Sequence, residues 1–283
     1  MPSSPKKKCD LHIHSTFSDS DTDIEQIFQT AQSKNLSAIA IADHDTIDGL
    51  ALADVASQKY NIELVNAIEI SAQKDDTEVH VLGYFIDAGS PQLKVTLESI
   101  RQLRKKRLMA MVAKLHDLGF AVGEEELSAK IKDAIPTRLH LGLYLVEKKI
   151  VKSLHDAFEK YLSPGKPAYI ARFKYSIPEA IQLIKCYGGL AFLAHPHLLP
   201  AQSWIEEFVS YGLDGLEVVY PRFSEAKISL YKNMAEHWGL LKSGGSDAHG
   251  SYKNYTAIGS VTAPYEWVEE MKKRLAQRPR GTV

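Results

Sequence analysis

The chain has 283 residues, 45 % of them apolar and 24 % charged, and a formal net charge of −1. This is the profile of an ordinary globular protein with one large domain, or one domain carrying an inserted lobe, and the near-zero charge excludes a bulk nucleic-acid binder. No apolar run reaches the roughly 18 residues of a membrane-spanning helix, and two cysteines, Cys9 and Cys186, are too few for a disulfide framework, so a reducing, cytoplasmic setting is expected.

The opening MPSSPKKK is basic but has no apolar core behind it, so it reads as a frayed tail and not as a secretory signal. Short β-rich runs then recur at 9–13, 37–42, 62–70, 78–86, 189–195, 215–220 and 239–246. Helical patterns lie between most of them. In the first, Ile24, Ile27, Phe28 and Ala31 share a face, with Thr22 and Glu25 as the expected capping box. The segments 45–60 and 176–189 repeat the idea, the latter with Pro near its first turn and Gly after its last. Strand alternating with helix argues a parallel sheet or barrel; seven runs suit a closed barrel. The alternation breaks at 91–168, which reads as an inserted helical lobe beginning with one long helix and ending in the turn-rich LSPGKPAY. Charge is uneven too: residues 91–170 hold fifteen Lys and Arg against nine Asp and Glu, about +6, so the rest is about −7.

The polar residues fall at strand ends. His12 and His14 close the first run and share a face. His44 and Asp45 follow the second, Glu69 ends the third, His80 lies in the fourth, His195 and His197 end the fifth, and Asp247 and His249 follow the seventh. In a (β/α) barrel all strand C-terminal ends open on one face, so these groups would converge. A half-dozen buried imidazoles and carboxylates, each costing about 2 kcal/mol or more unpaired, require compensation. Divalent metal supplies it, and His with Asp or Glu, without cysteine, suits Zn, Mn or Fe and not a structural thiolate zinc.

The segments DLHIHSTFSD, IADHDT, AIEIS, VHVLGY, AHPH and GGSDAHG resemble those of the PHP (polymerase and histidinol phosphatase) family over nearly the whole chain. The stretch from Pro136 to Tyr169 is similar to the insert of the branch that hydrolyses nucleoside 3′,5′-bisphosphates and, in some members, trims RNA from its 5′ end. The resemblance implies a distorted (β/α)7 TIM-like barrel, residues 1–90 plus 169–283, with the helical insert 91–168 selecting substrate, and two or three divalent metals, manganese first among them. It implies a first metal on His12, His14, Glu69 and Asp247, a second on Asp19, His44 and His249, and a third on Glu69, His80 and His195. Asp10 and Asp45 are then candidates to orient an imidazole or a water, and Asp45 also for proton transfer. Two positions depart from the branch: Arg138 and His140 stand in TRLH where RPH is usual, and His197 stands where glycine is common, which places it at a solvent or substrate rim.

Three carboxylates against three divalent ions leave about +3 before water binds, a charge that attracts phosphate and its transition state. Metal also brings the pKa of water from about 15.7 toward roughly 7, giving a bridging hydroxide nucleophile at neutral pH. The expectation is therefore a phosphoesterase for a small nucleotide or a short RNA 5′ end, with no stable duplex DNA binding. Arg138, His140 and Lys166 are the candidate phosphate contacts, Arg138 by its forked donors. The alternatives are a histidinol-phosphate-type phosphatase, another metal hydrolase on the same barrel, and a non-catalytic metal-binding module.

Overall fold

In the computed structural model, residues 6–171, 174–253 and 255–278 are described, so most of the basic opening tail lies outside them. The elements in chain order are β1 (Lys8–Ile13), α1 (Ile24–Ser33), β2 (Ala38–Ile41), α2 (Leu50–Tyr60), β3 (Glu63–Lys74) and β4 (Thr77–Tyr84). The inserted helices are α3 (Pro91–Asp117), α4 (Glu124–Ile131), α5 (Arg138–Glu147) and α6 (Leu154–Ala157). The chain then returns through β5 (Tyr175–Ser176), α7 (Ile177–Cys186), β6 (Leu190–Leu193), α8 (Ser203–Ser210), β7 (Gly215–Val219), α9 (Glu225–His237), β8 (Leu241–Gly244), β9 (Ala263–Pro264) and α10 (Glu266–Ala276).

All seven anticipated runs are strands, and they form a nearly closed wall in the spatial order β8-β7-β6-β4-β3-β2-β1, with β9 beside β1 and β5 beside β3. One expectation fails. The strands are not all parallel: β4 runs antiparallel to both β3 and β6. The cause is local, because Lys74 pairs with Thr77 across a two-residue turn in which Asp75 has φ +50°, and two residues cannot hold the crossover that a parallel strand needs. Reversal carries His80, near the start of β4, to the same end of the barrel as Ser71 of β3 and Ala194 after β6.

The wall closes between β1 and the segment after β8. Ile13 bridges Ala248, and the His14 N–H donates to the Ala248 carbonyl at 3.0 Å. Asp10 staples this seam: its carboxylate accepts from the N–H of Ser246 and Gly259, each at 2.8 Å. Gly245 permits the close approach, since a Cβ there would stand 2.5 Å from the His12 nitrogen. Asp10 thus holds backbone and meets His12 only through its N–H, at 3.4 Å, so the expected role in orienting an imidazole is not the one it has.

Helix α1 buries Ile24, Ile27, Phe28 and Ala31 as its periodicity requires, but its cap is Asp23 and not Thr22. Asp23 accepts from the Gln26 N–H at 2.8 Å and Gln26 reciprocates at 3.1 Å; Thr22 is engaged in the preceding loop, where its carbonyl takes the Thr16 N–H. Helix α3 serves two cores. Leu93, Leu97 and Ile100 belong to the barrel core, while Leu108, Met111, Val112 and Leu115 belong to a second cluster with Leu127, Leu141 and Leu162. The change of core therefore falls inside α3, about three turns beyond residue 91. At that change sits Arg104, buried and ion-paired with Asp45 of the barrel.

Replacing Asp10 by Ala leaves the buried Ser246 N–H and the partly buried Gly259 N–H without acceptors, at about 1–3 kcal/mol for a fully buried one. The expected loss in urea unfolding is about 2–4 kcal/mol, and a loss well below about 1 kcal/mol would show that the seam closes without it.

Candidate metal centre

Most polar residues of the site are delivered by a strand end or the loop after it, whereas Glu69 and His80 lie inside β3 and β4. His12 lies in β1 and His14 just beyond, Asp19 follows in the next turn, and His44 follows β2. Glu69 and His80 are diagonal neighbours across the β3–β4 pair, His80 standing opposite Ser71, while His195 follows β6, and Asp247 and His249 follow β8. Three residues at this rim hold left-handed backbone: Asp45 (φ +50°), His195 (φ +31°) and Asp247 (φ +49°). Such conformations cost of order 1–3 kcal/mol each and persist where surrounding structure enforces them.

Glu69 is the hub. It is 1 % exposed, and its two carboxylate oxygens lie 2.9 Å from His195, 3.0 Å from His80, 3.1 Å from His44, 3.3 Å from His14 and 3.4 Å from His12. His12 Nε2 and His14 Nε2 are themselves 3.2 Å apart, and Asp247 Oδ1 is 3.5 Å from the first and 3.2 Å from the second. Donors bound at roughly 2.0–2.1 Å in a tetrahedral shell stand about 3.3 Å apart, so this nest has the spacing of a first-row divalent ion's ligands. Asp19 lies 3.4 Å from His249 and 3.7 Å from both His14 and His44. Asp19 Oδ1 and His44 Nδ1 are buried without a hydrogen-bond partner, which a bound cation would satisfy. The residues present therefore fit metal, and four overlapping groups of donors are close enough to hold it.

Outer partners fix the rings. His12 Nδ1 contacts Glu217 Oε1 at 2.9 Å, and His249 Nδ1 lies 2.8 Å from the Asp247 carbonyl, which can only accept. Both rings therefore carry their proton outward and turn the Nε2 lone pair into the nest. The other oxygen of Glu217 accepts the His195 N–H at 2.7 Å. Asp43 takes the Ser15 N–H and hydroxyl and the Ser18 hydroxyl, pinning the loop that bears Asp19. Asp21, which is exposed, accepts the Ser251 N–H at 2.9 Å across that loop. The Tyr220 hydroxyl and the Lys253 ammonium donate to Asp247 at 2.6 and 2.9 Å.

Burial opposes charge throughout the nest. For Asp19, Glu69 and Asp247 it is outweighed by the imidazoles and, at Asp247, by Lys253, and all three carboxyls are held below their ordinary range. For His14 burial is outweighed by Asp247 and Glu69, and for His80 by Glu69 and Glu78, so each rises to about 9. Burial prevails at His44 and His249, which fall to about 3 and about 4. Without metal, protons on some rings supply the positive charge that the carboxylates demand.

The remaining anticipated residues are placed as follows. Asp45, a candidate for proton transfer, is occupied: it accepts from Arg104 Nε at 3.0 Å and from the Ser71 N–H at 2.8 Å, so its contacts join insert to barrel. His140 Nδ1 accepts the Thr137 N–H at 3.2 Å in the α5 cap. Burial lowers its pKa, and the Asp19 carboxylate counters from across the gap. Arg138 packs its guanidinium 5.7 Å from the ring centres of both Phe158 and Tyr169, and Arg107 lies 5.8 Å over the same Tyr169 ring. Lys166 is on an exposed turn closed by its N–H to the Ser163 carbonyl, and no hydrogen bond or ion pair joins its ammonium to a described residue. His197 is half-buried at the rim of a cleft beside the nest; its ring lies 4.9 Å from Tyr220 and 5.0 Å from Phe223, and its Nδ1 is buried without a partner. Glu217, Asp43, Arg104 and Arg107 were not anticipated. Glu217 did leave a signal, a lone acid in the middle of an apolar strand.

Two outcomes are expected. Rings held near 9 must lose protons to bind metal, so calorimetric titration in buffers of different ionisation enthalpy should show proton release at pH 7.5, with affinity rising toward about pH 9. A pH-independent affinity between pH 6 and 9 would contradict this. Glu217→Ala should weaken metal binding about 10–100-fold, as loss of a ring-orienting carboxylate does elsewhere, while circular dichroism stays native.

The PHP domain model matches residues 10–195, from the acid that staples the barrel seam to the histidine after β6. A 5′-3′ exoribonuclease of Haemophilus influenzae is 32 % identical over 248 residues, 86 % of this chain and 90 % of that protein. A 3′,5′-nucleoside bisphosphate phosphatase of Chromobacterium violaceum is 32 % identical over 257 residues, 88 % of this chain and 90 % of that protein. A solved structure described as a metal-dependent phosphoesterase of Bifidobacterium adolescentis aligns with a TM-score of 0.85 at 28 % identity, over 95 % of this chain and 97 % of that one. The barrel, the nest of donors and this likeness agree: the chain belongs to the PHP domain family.

Proposed function

We propose that the protein is a metal-dependent phosphoesterase of nucleotides, converting nucleoside 3′,5′-bisphosphates to 5′-monophosphates and trimming short RNA from its 5′ end. The observation that carries this reading is the placement of Arg138 and Arg107 of the insert around Tyr169 at its edge as one basic and aromatic assembly, with His140 in the same helix as Arg138 and near enough to Asp19 for that carboxylate to counter burial, which lowers its pKa. The likeness to a bisphosphate phosphatase and to an exoribonuclease supports it.

Manganese is the proposed metal. His12, His14, Glu69 and Asp247 would hold one ion, Asp19, His44 and His249 a second, and Glu69, His80 and His195 a third. Bound there, divalent ions supply Lewis-acid neutralisation of the phosphoryl oxygens and an acidified water. The chain's own residues do the rest. Arg138 and Arg107 fork their donors onto the 5′-phosphate, and Tyr169 lies between them for the base. His140 accepts at Nδ1, so in its neutral form the ring holds its proton at Nε2, available to a phosphoryl or leaving oxygen. Arg104, held by Asp45, positions the insert over the barrel and touches no substrate. Residues 91–168 thereby select the substrate and the barrel performs the hydrolysis. A cytoplasmic location fits the two unpaired cysteines, and no described helix is long and apolar enough to cross a membrane.

Adenosine 3′,5′-bisphosphate with manganese should release phosphate, with histidinol phosphate turned over at least about 100-fold less efficiently. His14→Ala or chelation should abolish release, and Arg138→Ala should raise KM at least about 10-fold, the scale of one lost charged hydrogen bond. No phosphate release with any divalent metal would sink the reading, and equal turnover of histidinol phosphate would redirect it.

A further inference from the structure

A cleft of about 500 Å³ opens from the metal nest on the side away from the insert. Its floor includes Glu69, His80, His195 and Asp247, and its outer wall is Tyr220, Arg222, Phe223, Lys227, Lys253 and Tyr255. These wall residues come from the loops after β7 and β8 and, for Lys227, from the first turn of α9, and among the described residues none of the lining belongs to 91–168. The insert instead meets the loops of β1 to β3, through Arg104 with Asp45, Arg101 with Asp48, and the Ile135 N–H with the Phe17 carbonyl. The nest is therefore flanked by two separate basic and aromatic surfaces, and only the first is used by a nucleoside bisphosphate in the reading above.

The second surface has the features of a nucleotide subsite. Its cations are Arg222, Lys227 and Lys253, and its only acids, Glu69 and Asp247, are in the metal nest. Arg222 stacks its guanidinium 4.1 Å over the ring of Tyr255, which is 45 % exposed. It does so from left-handed backbone, φ +64°, and no carboxylate pairs with it or with Lys227 among the described residues. Lys227 lies 5.3 Å over Phe223. The buried, unpartnered Nδ1 of His197, set between Tyr220 and Phe223, is a further polar atom awaiting a ligand. An exposed ring with a cation on its face and further cations beside it is how single-stranded nucleic acid is held without sequence preference.

We infer that this cleft binds the second nucleotide of an RNA chain, the one joined through its 5′ oxygen to the phosphate at the metal nest. The inference rests on the phosphoesterase reading and assigns the diester substrate its own place. In the step it serves, a water oxygen bonds to phosphorus and the P–O3′ bond of the first nucleotide breaks. The 3′ oxygen takes up a proton, and the phosphate stays on the 5′ oxygen of the nucleotide in the cleft. Tyr255 and Arg222 would stack that base, and Lys227 would meet the next phosphate. A bisphosphate has no group to place there, so the cleft distinguishes phosphodiester from phosphomonoester substrates at one metal centre.

The test compares adenosine 3′,5′-bisphosphate with the 5′-phosphorylated oligoadenylates pApA and pApApApA, using the full chain with manganese. In Arg222→Ala/Lys227→Ala, kcat/KM for pApApApA should fall at least 10-fold, mainly through KM, while bisphosphate turnover stays within about twofold of wild type; its salt dependence should also flatten. Tyr255→Leu, which keeps an apolar side chain but no stacking face, should weaken both oligonucleotides and spare the bisphosphate. Equal losses on all three substrates, or none on the oligonucleotides, would overturn the assignment, as would a wild type that hydrolyses the bisphosphate but no oligonucleotide. A wild type that hydrolyses none of them would overturn the phosphoesterase reading itself, and the cleft assignment with it.

Discussion

The structure depends on one buried carboxylate. Glu69 stands at the centre of the barrel mouth with five imidazoles around its two oxygens, and no single hydrogen bond can satisfy such a group. An ionised carboxylate taken from water into this interior is strongly unfavourable unless positive charge surrounds it. The fold supplies the five rings from four strands, β1, β2, β4 and β6, or the loops that follow them. Closure of the barrel, reversal of β4 and the left-handed turns at His195 and Asp247 all serve the same convergence. The seam at Asp10, which touches no imidazole, matters for the same reason: it fixes where His12 and His14 stand relative to Asp247 and His249.

Much of this was legible in the sequence because strand ends and donors coincide. Period two placed His12 and His14 together, and every strand that the apolar runs implied is present. What the sequence concealed was decided by tertiary contacts. The direction of β4 followed from the brevity of a two-residue turn, which apolar patterning does not encode. The cap of α1 moved from Thr22 to Asp23 because Thr22 was already bound into the Asp19 loop. Asp10 and Asp45 lie close to the ligands in sequence but spend their oxygens on backbone and on Arg104, while Glu217, far from any motif, orients His12. Proximity in sequence to a ligand is a weak guide to contact with it: Asp10 is two residues from His12, yet its oxygens go to the backbone of the seam.

The insert shows the same limit. Its basic character was plain from composition, but composition does not separate a cation that binds substrate from one that holds the fold. Within one turn of α3, Arg104 is buried against Asp45 while Arg107 lies over Tyr169. The long helix looked uniformly charged, yet its apolar positions divide between two cores, and that division explains why Arg104 is buried at all.

The shared helix also bears on how such proteins can be recombined. An insert with its own apolar cluster resembles a detachable module, but its first helix completes the barrel core and delivers the guanidinium that neutralises Asp45, next to His44. Exchange at residues 91 and 168 would strip the barrel of both. A viable graft has to carry α3, Asp45 and Ser71 as one unit, so substrate preference and metal geometry in this architecture are inherited together.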